Sequence, residues 1–163
     1  MNDVIVGNGK LAGKGIYAAH DFEEGDIVMQ YNLQELSQEE FNNLPQEERM
    51  FTHSFWGKIY LYPEPARYVN HSPKPNTQQD LLKMCDYAIR LIKKGEMITT
   101  NATIEIRREI ETFIDVFENK KPEDLKWLKL GYRNAICTYN ANGKSKQLIL
   151  KRVDGNWKII KQD

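Results

Sequence analysis

The residues best suited to chemistry lie in one run: Arg67, Tyr68, Asn70, His71 and Ser72, followed by Pro73, Lys74, Pro75 and Asn76. An amide, an imidazole and a hydroxyl side by side offer donors and acceptors for a small polar ligand. Four of the 6 prolines fall between Pro63 and Pro75. Proline fixes φ and removes a backbone donor, so the run is neither an ordinary helix nor a central strand. It is expected to be a rigid loop, which either seats a ligand at low ordering cost or forms a capped surface turn. A second stretch, Gly7 to Gly15, carries four glycines and allows close approach of backbone to a ligand. It lacks the Lys-Ser/Thr of a phosphate-binding loop, and a strand follows it where a dinucleotide fingerprint requires a helix.

Short strands and turns must position these residues. Val4–Val6 and Ile16–Ala19 read as strands around the glycines. Phe22-Glu23-Glu24-Gly25-Asp26-Ile27-Val28 and Ile92-Lys93-Lys94-Gly95-Glu96-Met97-Ile98 share one pattern: apolar anchor, two charges, glycine, acid, apolar strand. Ser37-Gln38-Glu39-Glu40 is a capping box opening a short helix, and Pro45 starts another helical turn. Phe51, Phe55, Trp56, Tyr60 and Tyr62 make an aromatic run that either packs a core or lines a narrow channel for an amine. Tyr87–Ile92 and Met97–Thr100 are further strands. Residues 1–102 therefore read as a β-rich domain.

Residues 103–163 read as a small α+β appendage. Ile106, Ile110, Phe113, Ile114 and Phe117 recur at helical spacing over 103–118. Pro122-Glu123-Asp124 is read as opening a second helix, with Leu125 and Leu128 apolar and Gly131 as its stop. Three strands follow, at 133–139, 146–152 and 156–160, joined by Asn142-Gly143 and Asp154-Gly155 hairpin turns, with Trp157 and Ile159 facing the core.

Formal net charge is +0, but it is divided unevenly. Residues 1–104 carry ten Lys/Arg against fourteen Asp/Glu, and residues 105–163 carry thirteen against nine, so the halves stand at −4 and +4. The acidic half suits a lysine-bearing partner. The basic half places Lys144, Lys146, Lys151, Arg152, Lys158 and Lys161 together, but no aromatic stripe accompanies them, so a solvated basic face is expected and nucleic acid is not the expected partner. No apolar run is long enough to span a membrane, and no signal peptide is read at Met1-Asn2-Asp3. Cys85 and Cys137 lack metal-ligand spacing, which points to a reducing interior, cytoplasmic or nuclear. No coiled-coil or other oligomer signal is present.

Taken together, residues 13–101 resemble the SET domain of protein lysine methyltransferases. Gly13-Lys14-Gly15-Ile16-Tyr17-Ala18 looks like the family's glycine-containing first motif. Arg67-Tyr68-Val69-Asn70-His71-Ser72 with Pro75-Asn76 looks like its Asn-His-Ser signature, and Ile92–Ile98 looks like the segment leading into its last motif. The resemblance implies a mainly β, SET-type fold of small curved sheets with a pseudoknot, followed here by a helix-helix-β-meander tail. It implies S-adenosylmethionine as cofactor and a lysine-containing protein or peptide as substrate. By position, Gly13, Lys14, Gly15 and Ile16 would touch the cofactor, Asn70 would hold its amino acid end, and the His71 backbone would meet its adenine. Arg67 and Tyr68 would buttress the site. In-line methyl transfer to a neutral amine needs alignment above all. The family's last motif ends in tyrosines, where this chain has Thr100 and Ala102. No catalytic residue is therefore assigned from the sequence. Either Tyr132 or Tyr139 replaces the missing phenol, or the enzyme is slow, or the chain is a degenerate module that binds cofactor or peptide without turnover. Pro73 stands where the family has a cysteine, and the zinc-binding cysteines of some members are absent, so no zinc is expected.

Overall fold

Alternating short apolar runs and glycine turns build small sheets. The structure is a computed structural model and describes residues 3–163. Met1 and Asn2, where the leader reading begins, lie outside the described residues. In chain order the strands are β1 (Val4–Leu11), β2 (Lys14–Ala18), β3 (Ile27–Gln30) and β4 (Gln34–Leu36), then helices α1 (Gln38–Asn43) and α2 (Gln46–Arg49). Next come β5 (Thr52–Phe55), β6 (Lys58–Leu61), β7 (Asn70–His71), β8 (Thr77–Asp80), β9 (Cys85–Ala88) and β10 (Met97–Thr100). Helix α3 (Ala102–Glu118) leads to β11 (Glu123–Leu130), β12 (Asn134–Ala141), β13 (Lys144–Val153) and β14 (Asn156–Gln162). No described helix is long and apolar enough to cross a membrane.

Contacts divide the chain into two compact units. One is the chain through Gln34 together with Tyr62–Ala102; the other is Glu35–Leu61 together with Thr103–Asp163. In the first unit, one sheet has the order β1-β2-β10-β7 and another the order β3-β9-β8. Strand β10 runs antiparallel to β2 and parallel to β7, so the last strand of this unit is inserted beside the Asn-His pair. The run read as one strand over Tyr87–Ile92 is shorter: β9 stops at Ala88, and Ile92 makes an isolated bridge to Phe22.

That bridge relates the two glycine turns. Phe22 N–H donates to Ile92 O (2.8 Å) and Ile92 N–H to Phe22 O (2.9 Å). In the first turn, Gly25 N–H reaches Ala88 O (2.8 Å), Asp26 N–H reaches Glu23 O (3.1 Å), and the Asp26 carboxylate accepts from Glu23 N–H (2.8 Å). In the second, Gly95 N–H reaches Ala18 O (2.8 Å), Glu96 N–H reaches Lys93 O (2.9 Å), and the Glu96 carboxylate accepts from Lys93 N–H (3.1 Å). Both glycines have positive φ, 93° and 83°, which a side chain would strain. The sequence likeness of the turns is thus a likeness of backbone and of partners.

In the second unit, β11-β12-β13-β14 form an antiparallel meander. Helix α3 lays Ile110 and Ile114 on its inner face against Ala135, Cys137, Tyr139, Leu148, Leu150 and Trp157. Ile159 packs partly against this core. The segment read as a second helix is β11. Its buried side is formed by Leu125, Trp127 and Leu130, while Leu128 is 63% exposed. A register shift between Trp127 and Lys129 breaks the simple alternation, which is why Leu125 and Leu128 alone mimic a helical spacing. The tail is therefore one helix and a four-stranded meander.

One buried carboxylate ties this unit together. Glu109 of α3 is 1% exposed and accepts from His53 Nδ1 (2.9 Å), Trp157 Nε1 (3.0 Å) and the Arg152 guanidinium. Arg152 also lies over the Tyr132 and Trp157 rings. Burial opposes the Glu109 charge, yet the His53 hydrogen bond and the Arg152 charge outweigh it and hold the carboxyl below its usual range. Burial likewise opposes the His53 cation, and the bond to Glu109 with the nearby Glu105 charge raises it despite Arg152. Ser54 donates to Asn156 Oδ1, and Trp56 N–H donates to Thr112 Oγ1 (2.9 Å), so residues 35–61 are stitched to the helix and the last hairpin. Of the aromatic run, Phe51, Phe55 and Tyr62 are buried.

Candidate functional site

The site lies in the first unit, where β1, β2, β7 and β10 meet around Asn70. The β1–β2 hairpin carries a bulge, since Asn8 and Leu11 both oppose Lys14. The bulge removes Lys10 N–H from the ladder, and that group donates to Asn70 Oδ1 (2.8 Å). Asn70 Nδ2 donates to the carbonyls of Lys14 and Tyr68, both at 2.9 Å. Asn70 is 5% exposed, so its carboxamide is a clamp between the glycine hairpin and the loop. The hairpin crosses closely enough that a Cβ on Gly9 would stand 2.3 Å from Lys14 O. Glycine is required there.

The remaining residues of the run are placed around this clamp. Ala12 and Gly13 form the hairpin turn at φ 52° and 75°, and a Cβ on Gly13 would meet nothing within 4 Å. The backbone there is open. Gly15 lies against Asn70, with a built Cβ 3.3 Å from Nδ2, and Ile16 is 0% exposed in β2. Lys14 Nζ lies 3.2 Å from the Tyr68 hydroxyl and 3.7 Å from Glu64, and the Tyr68 hydroxyl donates to the same carboxylate. The Tyr68 hydrogen bond, with the Glu64 charge, raises the Lys14 ammonium above its ordinary value. Glu64 is held low by the Tyr68 bond and the Lys14 and Arg67 charges. Arg67 Nε donates to Tyr62 O (2.8 Å), fixing the turn before Asn70.

His71 is exposed, and its Nδ1 accepts from Ala102 N–H (3.1 Å). Ser72 N–H donates to Thr100 O (2.8 Å), and Ser72 Oγ accepts from Lys74 N–H (3.1 Å). Asn76, 1% exposed, completes the enclosure of β10: Oδ1 accepts from Thr99 N–H (2.8 Å), and Nδ2 donates to Met97 O (2.8 Å) and Glu96 (3.2 Å). Thr77 Oγ1 adds a bond to Thr99 O (2.9 Å). Lys10 and Glu64 take part in this arrangement but carry no motif; only the bulged register reveals the first, and only the fold brings the second to Lys14.

The segment after Ile98, residues 99–102, carries no tyrosine. Strand β10 ends at Thr100, and α3 begins at Ala102. Tyr139, one of the two tyrosines offered as replacements, is 1% exposed, and its hydroxyl donates to Glu118. Burial and that carboxylate push its phenol far up, so it is neither free nor acidic. The ring of Tyr132 carries Arg152 4.6 Å from its centroid. Among the described residues no group of three His, Cys, Asp or Glu is placed to hold a metal. Cys85 and Cys137 are free and buried, and burial pushes the Cys137 thiol up to about 11.

The profile of the SET domain matches residues 13–101. The chain belongs to the SET-domain family. The three motifs of this SET domain lie on β2, on the turn through β7, and on the approach to β10. Among solved structures it is similar to a humanized Chaetomium thermophilum Polycomb Repressive Complex 2 bound to the inhibitor GSK126 (25% identity, TM-score 0.50), over 63% of this chain and 15% of that one. The Chaetomium thermophilum polycomb repressive complex 2 is similar over 60% of this chain and 15% of that one, at 23% identity and TM-score 0.51. A candidate histone methyltransferase of Plasmodium falciparum is similar at 18% identity and TM-score 0.48, over 61% of this chain and 91% of that one. The chain thus spans only a small part of the polycomb chains it matches. Among curated proteins no similar sequence is found.

Proposed function

We propose that this SET domain binds S-adenosylmethionine beside the β1–β2 hairpin and passes its methyl group to a protein lysine inside the cell. The observation that carries the proposal is the Asn70 clamp, which holds the glycine hairpin, the Asn-His-Ser loop and β10 in one fixed arrangement. S-adenosylmethionine presents a carboxylate, an ammonium and a sulfonium. The open backbone at Gly13, the half-exposed Lys14 ammonium and the neighbouring Glu64 carboxylate fit a zwitterionic end, and the exposed His71 segment offers backbone for a purine edge. When bound, the cofactor supplies the electrophilic methyl. The chain's part is to hold Lys14, Asn70 and His71 in place so that little ordering remains to be done.

A second reading is supported by Ala102 and Tyr139. Ala102 offers no hydroxyl, and the Tyr139 hydroxyl is committed to Glu118. On that reading the chain binds cofactor or a basic peptide without turnover. Calorimetric titration with S-adenosylmethionine tests the site: saturable binding by the wild type, lost in a folded Asn70→Ala variant, is expected. Absence of binding to the folded wild type at millimolar cofactor overturns the proposal. Transfer of labelled methyl to lysine peptides then separates enzyme from binding module.

A further inference from the structure

The exposed face of the C-terminal sheet carries a second, independent pattern. Side chains directly opposite in an antiparallel pair point to the same face. Pairing therefore lays Lys129, Ile136, Ile149 and Lys161 in one row across β11, β12, β13 and β14. The next row on this face sets Lys151 directly opposite Lys158. All four lysines are exposed, and neither isoleucine belongs to the α3-facing core. Among the described residues Lys129, Lys151 and Lys158 make no ion pair, while Lys161 meets Asp163 at the chain end (3.1 Å). Like charges directly opposite in a sheet destabilise it, so a polyanion over this face relieves a repulsion already present. The helical reading of 123–130 conceals the row, because Lys129 joins it only when β11 is a strand. Three of the cations grouped with these in the sequence leave the face: Lys144 stands opposite the core residue Ala141, Lys146 turns inward to Glu118 and Arg152 to Glu109.

We propose that this face binds duplex nucleic acid through its phosphates. Four strands at about 4.8 Å spacing separate Lys129 from Lys161 by about 14 Å, comparable with the ~12 Å major groove of a duplex. The edge lysines thus reach phosphates on the two sides of one groove, with Ile136 and Ile149 over it. The face has no aromatic ring to stack on unpaired bases and no arginine; its amides, Asn134 opposite Lys151 and Gln147 beside Ile149, are outnumbered by the lysines, so phosphate contacts dominate and binding is to the duplex with little dependence on its sequence.

The test is fluorescence anisotropy of the full chain with a labelled mixed-sequence duplex. With four phosphate contacts the slope of log K against log salt is about −3.6, a loss of roughly 10²-fold in affinity between about 50 and 200 mM salt. The triple variant Lys129→Ala/Lys151→Ala/Lys158→Ala reduces the magnitude of that slope by about 2.7, and Lys83→Ala/Lys94→Ala leaves it unchanged. No duplex binding at the low-salt end, or a triple variant with the wild-type slope, overturns the proposal. So does equal or tighter capture of polyglutamate or of phosphatidylserine vesicles, which would assign the face to an acidic protein or a membrane surface.

Discussion

Asn70 is uncharged, yet it satisfies three backbone groups from three places in the chain. Truncating it leaves the buried Tyr68 carbonyl and the partly buried Lys10 N–H and Lys14 carbonyl without their partner. Asn70→Ala is therefore expected to cost about 3 kcal/mol in urea unfolding, besides abolishing cofactor binding. Ala102 allows a gain-of-function test. If alignment of the acceptor amine is what the missing phenol would supply, Ala102→Tyr raises labelled-methyl transfer by about tenfold or more; an unchanged rate means that position 102 does not limit transfer. Glu109 and His53 set the response to pH. The Glu109 carboxyl is depressed in the folded state, so its stabilisation is present above the ordinary glutamate range and disappears as pH falls through the folded value. His53 is raised, so its stabilisation is complete below the ordinary histidine value near 6.5 and disappears as pH rises through the folded value. Melting temperature against pH should form a dome with its summit on the mildly acidic side. His53→Gln should abolish the alkaline limb and, by removing the His53 charge from Glu109, weaken the acidic limb to the part that Arg152 sustains.

At the scale of elements, local chemistry that needs no distant partner was legible in the sequence. The Ser37 capping box, the amphipathic α3 and the Asn142-Gly143 and Asp154-Gly155 turns all form where residue type and spacing put them. The Asn-His-Ser run was legible as irregular backbone at its prolines, but the short strand β7 that pairs Asn70 and His71 with β10 was not. What tertiary pairing decides was not. Strand β11 pairs along β12 despite a helix-like Pro-Glu-Asp opening, because a bulge lets Leu125, Trp127 and Leu130 share one face. The two structures make opposite demands on one residue pair. In the sheet, Leu128→Lys changes stability by less than about 0.5 kcal/mol, whereas Trp127→Ala costs about 2 kcal/mol; a helix burying Leu128 would reverse that order in chemical denaturation. The bulge that releases Lys10 N–H to Asn70 was equally invisible, since no residue type marks it.

At the scale of the molecule, the chain leaves the first unit after Gln34, returns at Tyr62 and leaves again after Ala102. Residues 35–61 therefore depend on partners far downstream. His53, Ser54, Trp56 and Gln38 bond to Glu109, Asn156, Thr112 and Asp154 respectively. A fragment ending at Ala102 should keep the motifs yet expose the apolar side of β5, seen as dye binding and rapid amide exchange over 52–61 but not over β1 and β2. The paired glycine turns have a consequence for the order of folding. The reciprocal bridge between Phe22 and Ile92, and the seating of β10 between β2 and β7, join residues far apart in sequence, so their loop-closure cost falls late and the search is slow. The β1–β2 hairpin closes locally and early. A growing chain released from synthesis before Thr100 has every residue proposed to touch the cofactor, but not the strand that locks them together. The proposed methyl-donor capture is then the last property the folding protein acquires, and pulse-labelled amides of Ile98 and Thr99 should gain protection in step with it.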